Sequence, residues 1–236
     1  MNKVIQSLVV LQLIVCSAYT QETEGSYMLS KMAAYYQNKE AYALNLDYKM
    51  YMGHKKDTLT ESYSSQIFKN KEEFQMRTDG YNMYVFDDMQ ITLVIDEKQL
   101  YINEKTLNTD SVVMLKDIED SNNNYDVIIL EQSKNKASLK LMPKNKASVN
   151  YSQINMDITL PSYKVLNQTI FYNYEASYRT VSGSVKKAKP CLFFVINEYK
   201  GPKVAFLQKE DLITVKHDAI TPSPTYKGFK LTDQRK

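Results

Sequence analysis

The chain has 236 residues, of which 43% are hydrophobic and 24% charged, with only 6 Gly and 6 Pro. That length makes one domain or at most two small ones, and the composition excludes disordered, collagen-like and low-complexity chains. With 30 basic against 27 acidic residues the net charge is +3, and lysine outnumbers arginine 27 to 3. Arginine forks that read phosphates and base edges are therefore scarce, and no nucleic-acid partner is expected.

The N-terminus has the layout of a secretory signal peptide. Met1-Asn2-Lys3 is a short basic start, Val4 to Val15 is a mostly apolar run, and small residues at Cys16-Ser17-Ala18 precede polar Gln21-Glu22-Thr23-Glu24. The apolar run is too short to span a bilayer as a helix, which takes roughly 20 residues. Cleavage after Ala18 or Thr20 fits the small-residue rule. A lipid-anchored alternative through Cys16 meets Val15 where Ala, Gly or Ser is expected, so a soluble exported protein is favoured. No later segment reaches the length of a spanning helix, so no transmembrane segment is expected in the mature chain. Cleavage leaves Cys191 as the one thiol, which cannot make an internal disulfide and reads as a small core residue. Abundant Lys, Asn, Tyr and Ile fit AT-rich coding, hence a low-GC bacterium and a periplasm. In a eukaryotic secretory setting Asn150-Tyr151-Ser152 and Asn167-Gln168-Thr169 would instead be glycosylation acceptors.

Beyond the leader, Ser26 is placed to cap a helix over Tyr27 to Gln37, with Met28, Leu29, Met32, Ala33 and Tyr36 on one stripe. The period then changes to two. Tyr42, Leu44, Leu46, Tyr48, Met50 and Met52 alternate with less apolar positions, which predicts a long half-buried strand. Turn signals at 53–57, 69–71, 79–80 and 96–99 separate further strands around Leu59 to Ile67, Phe74 to Met76, Tyr81 to Phe86, Ile91 to Ile95 and Leu100 to Asn103. Val112 to Ile118 reads as a short helical insertion. Strands at Val127 to Leu130, Ser138 to Met142, Val149 to Leu160, Ile170 to Tyr178 and Cys191 to Ile196 follow. The fold class is thus mainly β with minor α, one large curved antiparallel sheet forming an incomplete β-barrel. Residues 1–20 are assigned to the signal peptide, 21–215 to one domain, and 216–236, with Pro222 and Pro224, to a polar tail.

Chemistry-bearing motifs are scarce. The chain has no glycine-rich phosphate loop, no paired-histidine zinc motif and no nucleophile elbow, so neither an enzyme nor a bound cofactor or metal is expected. Asp120, Asn122, Asn124, Asp126 and Glu131 have a calcium-loop spacing, but Tyr125 stands where the sharp turn needs Gly, and an Asn-rich surface loop is the better reading. Lys186-Lys187-Ala188-Lys189 is a basic cluster suited to anionic lipid, to an acidic partner, or simply to solvent. Arg77 and Arg179 are isolated and fit either a headgroup anchor or ordinary surface charge.

Two stretches resemble the LolA/LolB/RseB-like family of periplasmic lipoprotein carriers. Phe68-Lys69-Asn70-Lys71-Glu72-Glu73-Phe74-Gln75-Met76 is similar to that family's segment with a basic residue between two aromatic strand positions. Leu93-Val94-Ile95-Asp96-Glu97-Lys98-Gln99-Leu100-Tyr101-Ile102 is similar to its L-V-x-D-G-K-x-L-W hairpin, with Glu97 in place of Gly and Tyr101 in place of Trp. The family's Arg-Pro pair is missing, and the resemblance covers about residues 26 to 132. It implies a half-barrel whose apolar concavity holds acyl chains beneath covering helices. On that basis lipid or lipoprotein acyl chains are the expected cargo, and Tyr48, Met50, Phe74, Met76 and Tyr101 the expected cavity residues. The competing reading is a structural or interaction module of a cell-envelope assembly, using the same half-barrel to hold a protein partner.

Overall fold

In the computed structural model, which describes residues 23–235 except 38, 72, 106–123, 181 and 217–218, the first element is helix α1 (Glu24–Gln37). All five residues of its apolar stripe are buried. The helix starts earlier than Ser26 suggests. Thr23 takes the capping position, its Oγ1 accepting the Ser26 N–H at 3.2 Å while its carbonyl accepts the Tyr27 N–H at 2.9 Å. Ser26 sits inside the first turn. Thr23→Ala is therefore expected to cost about 1 kcal/mol of stability in urea unfolding, and Ser26→Ala less.

The strands follow as β1 (Ala41–Met52), β2 (Thr58–Asn70), β3 (Glu73–Thr78), β4 (Tyr81–Val85), β5 (Met89–Val94) and β6 (Gln99–Glu104). After them come β7 (Tyr125–Gln132), β8 (Lys136–Pro143), β9 (Tyr151–Thr159), β10 (Val165–Tyr172), β11 (Ala176–Arg179), β12 (Val185–Ala188) and β13 (Pro190–Glu198). Helix α2 (Lys209–Leu212), β14 (Ile213–Lys216), β15 (Ala219–Pro222) and β16 (Lys230–Asp233) close the chain. Twelve strands make one sheet in the order β16-β6-β5-β4-β3-β2-β1-β13-β10-β9-β8-β7. Every pairing in it is antiparallel except β16 on β6, which is parallel. The outermost strands, β7 and β16, do not pair with each other, so the sheet curves without closing. Register shifts at Met50/Tyr51, Ile129/Glu131, Val165/Asn167 and Phe171/Tyr172 supply local bends, as bulges do.

The turns form where the sequence places them. Gly53, at φ +97°, opens the β1–β2 turn in a conformation that favours glycine. In the β5–β6 turn the left-handed residue is Lys98, at φ +50°, rather than Glu97, so the missing family glycine removes nothing the backbone needs there. The single strand expected over 170–178 is two, β10 and β11, interrupted at 173–175. The helical insertion expected at Val112 to Ile118 and the leader lie outside the described residues. So do Asp120 and Asn122 of the calcium-spaced stretch, whereas Asn124 precedes strand β7 and Asp126 and Glu131 fall on it.

Both faces of the sheet are covered over part of their extent. On the inner face α1 packs into a core with Leu44, Ile67, Phe74, Val85, Leu139, Leu141, Ile154, Ile158 and Ile170. Gly25 sits close against β7, where an added Cβ would lie 2.9 Å from Val127 Cγ1. On the outer face Tyr84, Met89, Ile91, Leu93, Leu100 and Ile102 pack against Leu212 and Ile213, flanked by Leu207, Ile220, Tyr226, Phe229 and Leu231. This second core corrects the expectation of a polar tail from residue 216. Leu231 pairs in register with Leu100, and Ser223 is buried with its hydroxyl donating to the Asp211 carbonyl at 2.6 Å. Lys209 is held to Asp88 of the β4–β5 turn at 2.9 Å. The C-terminal segment is an integral layer because the apolar outer faces of β4 to β6 need cover.

Candidate functional site

The last turn of α1 meets the sheet where β1 begins and β13 ends. Tyr35 and Tyr36 stand edge-on at 5.0 Å, and Tyr36 meets Tyr42 of β1 edge-on at 6.2 Å. The Val165 N–H donates to the Tyr36 hydroxyl at 3.1 Å, which ties the helix end to the start of β10. Between these elements lies a cavity of about 710 Å³. Its apolar wall includes Leu44, Val165, Leu166 and Ile196, and its polar rim includes Lys39, Lys164, Glu198 and Lys200. That volume is within the range of about 300–1,000 Å³ typical of small-molecule sites.

The rim is cationic and aromatic together. Lys39 Nζ lies 4.7 Å and Lys164 Nζ 5.9 Å from the Tyr35 ring centroid. Lys164 also donates to Glu198, and that contact holds the Glu198 carboxyl below, and the Lys164 amine above, their ordinary values. Lys39 and Lys200 add positive charge beside this pair. The Tyr36 hydroxyl is pushed up to about 12 by burial, an effect that the Val165 N–H partly offsets. A tyrosine with its pKa raised on folding stabilises the fold below its unfolded value of 10.0, and that stability is lost as pH rises towards 12. Tyr36→Phe is accordingly expected to flatten the fall in urea-unfolding free energy between pH 10 and 12. At neutral pH it should cost about 1–3 kcal/mol, because the buried Val165 N–H loses its acceptor.

The register places all five sequence-expected cavity residues on the inner face. Leu44 pairs with Ile67, Ile67 with Met76, Met76 with Met83, Met83 with Thr92, and Thr92 with Tyr101. Tyr48 and Met50 share the face of Leu44, and Phe74 that of Met76. Their surroundings differ. Phe74 is 1% exposed and belongs to the core. Tyr48, Met50 and Met76 are half-buried against that core, and Tyr48 stacks on Tyr63 at 4.6 Å with Phe194 edge-on at 5.5 Å. Tyr101 is half-buried on β6, outside both cores. None of the five lines the 710 Å³ cavity.

The cavity is built from residues that sequence reasoning did not single out: Tyr35, Lys39, Lys164 and Glu198 come from three regions of the chain. The one local signal was the Tyr35-Tyr36 pair at the helix end with Lys39 just beyond it. Arg77 is not at the cavity mouth. It donates to Gln75 Oε1 at 3.3 Å and stacks over Phe68 at 5.5 Å, on the outer face. Cys191 is buried, its thiol pushed up by burial and facing the Gly53 carbonyl at 3.5 Å. Among the described residues no group of three or more His, Cys, Asp and Glu is placed to hold a metal ion.

No protein-family model matches the chain, and no curated protein does. Among solved structures, a LolA superfamily protein from Nitrosomonas europaea is 11% identical at a TM-score of 0.34, over 78% of this chain and 96% of that one. An uncharacterized conserved protein from Thermus thermophilus is 9% identical at a TM-score of 0.45, over 90% of this chain and 100% of that one. A DUF1329 family protein from Desulfovibrio piger is 10% identical at a TM-score of 0.34, over 75% of this chain and 93% of that one.

Proposed function

We propose that this is an exported, periplasmic carrier or chaperone that binds lipid, or the acyl chains of lipoproteins, between α1 and the inner face of the sheet. The reading is non-enzymatic. The observation that carries it is the cavity at the end of α1, apolar on its wall and cationic at its rim, which suits an amphiphile with an anionic or carbonyl head. Burial of an acyl chain contributes about 0.8 kcal/mol per methylene, so an apolar wall of this kind is sufficient without specific polar contacts. Helix α1 covers the face that cargo would occupy, and its displacement would open more of that face, towards Met76 and Met50.

A second reading, an interaction module of an envelope assembly, is favoured by one observation. Much of the inner face is already filled by the protein's own side chains, with Phe74 in the core. Titration of the mature protein with a fluorescent fatty-acyl probe separates the two. The carrier reading expects saturable binding that unlabelled fatty acid displaces. It also expects several-fold weaker binding in Lys39→Glu with a urea midpoint close to wild type, since the Lys39 side chain is on the rim. Absence of saturable binding, together with a protein partner co-purifying in native mass spectrometry, selects the interaction module. In Met76→Gln, a loss of probe binding larger than the loss of stability would extend the binding surface along the inner face.

A further inference from the structure

Strands β10 and β13 continue past the large sheet as a separate two-stranded hairpin, β11–β12. It leaves the sheet at the Met52 end of β1, the end opposite the cavity, where the Gly53 N–H donates to the Lys189 carbonyl at 3.0 Å. The hairpin tip is ordered by its own hydrogen bonds: Thr180 N–H to the Ser184 carbonyl at 2.9 Å and Gly183 N–H to the Thr180 carbonyl at 2.8 Å. Residues 176–189 include Arg179, Lys186, Lys187 and Lys189 and no acidic residue. Among the described residues none of these four cations is in an ion pair. The flanking exposed charges are Lys55 and Asp57 in the adjoining β1–β2 turn and Glu175 just before β11, which leave this end net basic.

The same end is rich in exposed apolar and tyrosyl surface. Arg179 pairs with Val185 and Ser177 with Lys187, so one exposed face of the hairpin carries two cations and a valine that is 63% exposed. Beside it, the Tyr172 and Tyr174 rings lie 5.3 Å apart and Tyr174 is exposed, while the exposed Tyr63, stacked on Tyr48, donates its hydroxyl to Glu61 at 2.6 Å. Tyrosines whose rings face apolar surroundings and whose hydroxyls face water concentrate at membrane interfaces. Unpaired basic residues near an anionic bilayer are attracted by its surface potential. An acidic protein partner would match the charge but would leave Val185 and the tyrosine rim unexplained.

From these features we infer that the β11–β12 end of the molecule docks on the surface of an anionic bilayer, with Arg179, Lys187 and Val185 on the face turned to the lipid headgroups, Lys186 and Lys189 adding to the basic field, and the tyrosine rim at the interface. This goes beyond the carrier reading and does not depend on it. The test is co-sedimentation of the full mature chain with vesicles of phosphatidylcholine alone or with phosphatidylglycerol added, at low and high salt. Docking predicts binding to the phosphatidylglycerol vesicles only, weakened by salt. Lys186→Glu/Lys187→Glu should lower that binding by about tenfold or more. Val185→Ser, which removes the apolar side chain and leaves the hairpin's charge unchanged, should lower it too. The charge-matched variant Lys140→Glu/Lys146→Glu, on β8 and the following turn, should retain it. Equal losses in both double variants would show general charge attraction and overturn the proposal. So would undiminished binding of Lys186→Glu/Lys187→Glu, or wild-type protein that stays in the supernatant. Binding of polyglutamate but not of vesicles, lost in the same variant, would overturn it too and assign the hairpin to an acidic protein instead. Fatty-acyl probe binding by Lys186→Glu/Lys187→Glu should match wild type, so a failed carrier reading and a failed docking surface give different results.

Discussion

Leu29→Asp is expected to destabilise the protein by several kcal/mol, read as a lowered midpoint in urea unfolding. Leu29 is fully buried in the inner core, at the centre of the stripe that α1 lays on the sheet. A carboxylate there would lose its hydration with no cation opposite, and losses above about 4 kcal/mol arise from burial of this kind. Ser30, the exposed neighbour, provides the control: Ser30→Asp should leave the urea midpoint close to wild type. The slope of the transition carries the functional information. If α1 is an integral part of the fold, Leu29→Asp lowers the midpoint and keeps the slope. If α1 is a cover that detaches from a self-sufficient sheet, the slope falls, because less surface remains to be exposed on unfolding. The second outcome would also raise acyl-probe binding by uncovering the inner face.

The inner half of the fold was legible because its signals are local. Uninterrupted alternation along Ala41–Met52 specifies a strand and its buried face in one reading. Five apolar residues at helical spacing specify α1 and its buried side. The outer core gave no such pattern. Its C-terminal contributors, Leu212, Ile213, Ile220, Tyr226, Phe229 and Leu231, are scattered through a one-turn helix, strands of four residues, a 3-10 turn and the loop after it. Their periodicity is too short to register, and their partners on β4 to β6 are far away in the sequence. Pro222 and Pro224 read as breakers, yet Pro222 ends a strand and Pro224 starts the 3-10 turn, both places where proline is tolerated. The cavity was illegible for a related reason. Tyr35 and Lys39 meet Lys164 and Glu198 only after β1, β10 and β13 are paired. The expected site residues, by contrast, lie in the alternating strand and in the two family-like stretches, and alternation fixes a face without fixing which part of it is open.

A chain ending at Ala205 should not fold to the native state. Removing residues 206–236 takes away α2, β14, β15, the 3-10 turn and β16, the whole layer that covers the outer face of β4 to β6. Tyr84, Met89, Ile91, Leu93, Leu100 and Ile102, all at most 3% exposed in the full chain, would then face water. Exposing a large apolar side chain costs about 1.5–3 kcal/mol. For six of them the loss is of order 10 kcal/mol, comparable to the whole stability of about 5–15 kcal/mol expected for a domain. β6 would also become an unprotected edge with a hydrophobic face, a template for association with other chains. The expected observation is insoluble or aggregated protein on expression, against soluble full-length chain. A polar tail predicts the opposite result, a soluble truncated protein with an unchanged urea midpoint. Leu231→Asp tests the same layer with one substitution: it places an unpaired charge beside Leu100 and should lower the midpoint, whereas Lys227→Asp, on the exposed turn before β16, should not.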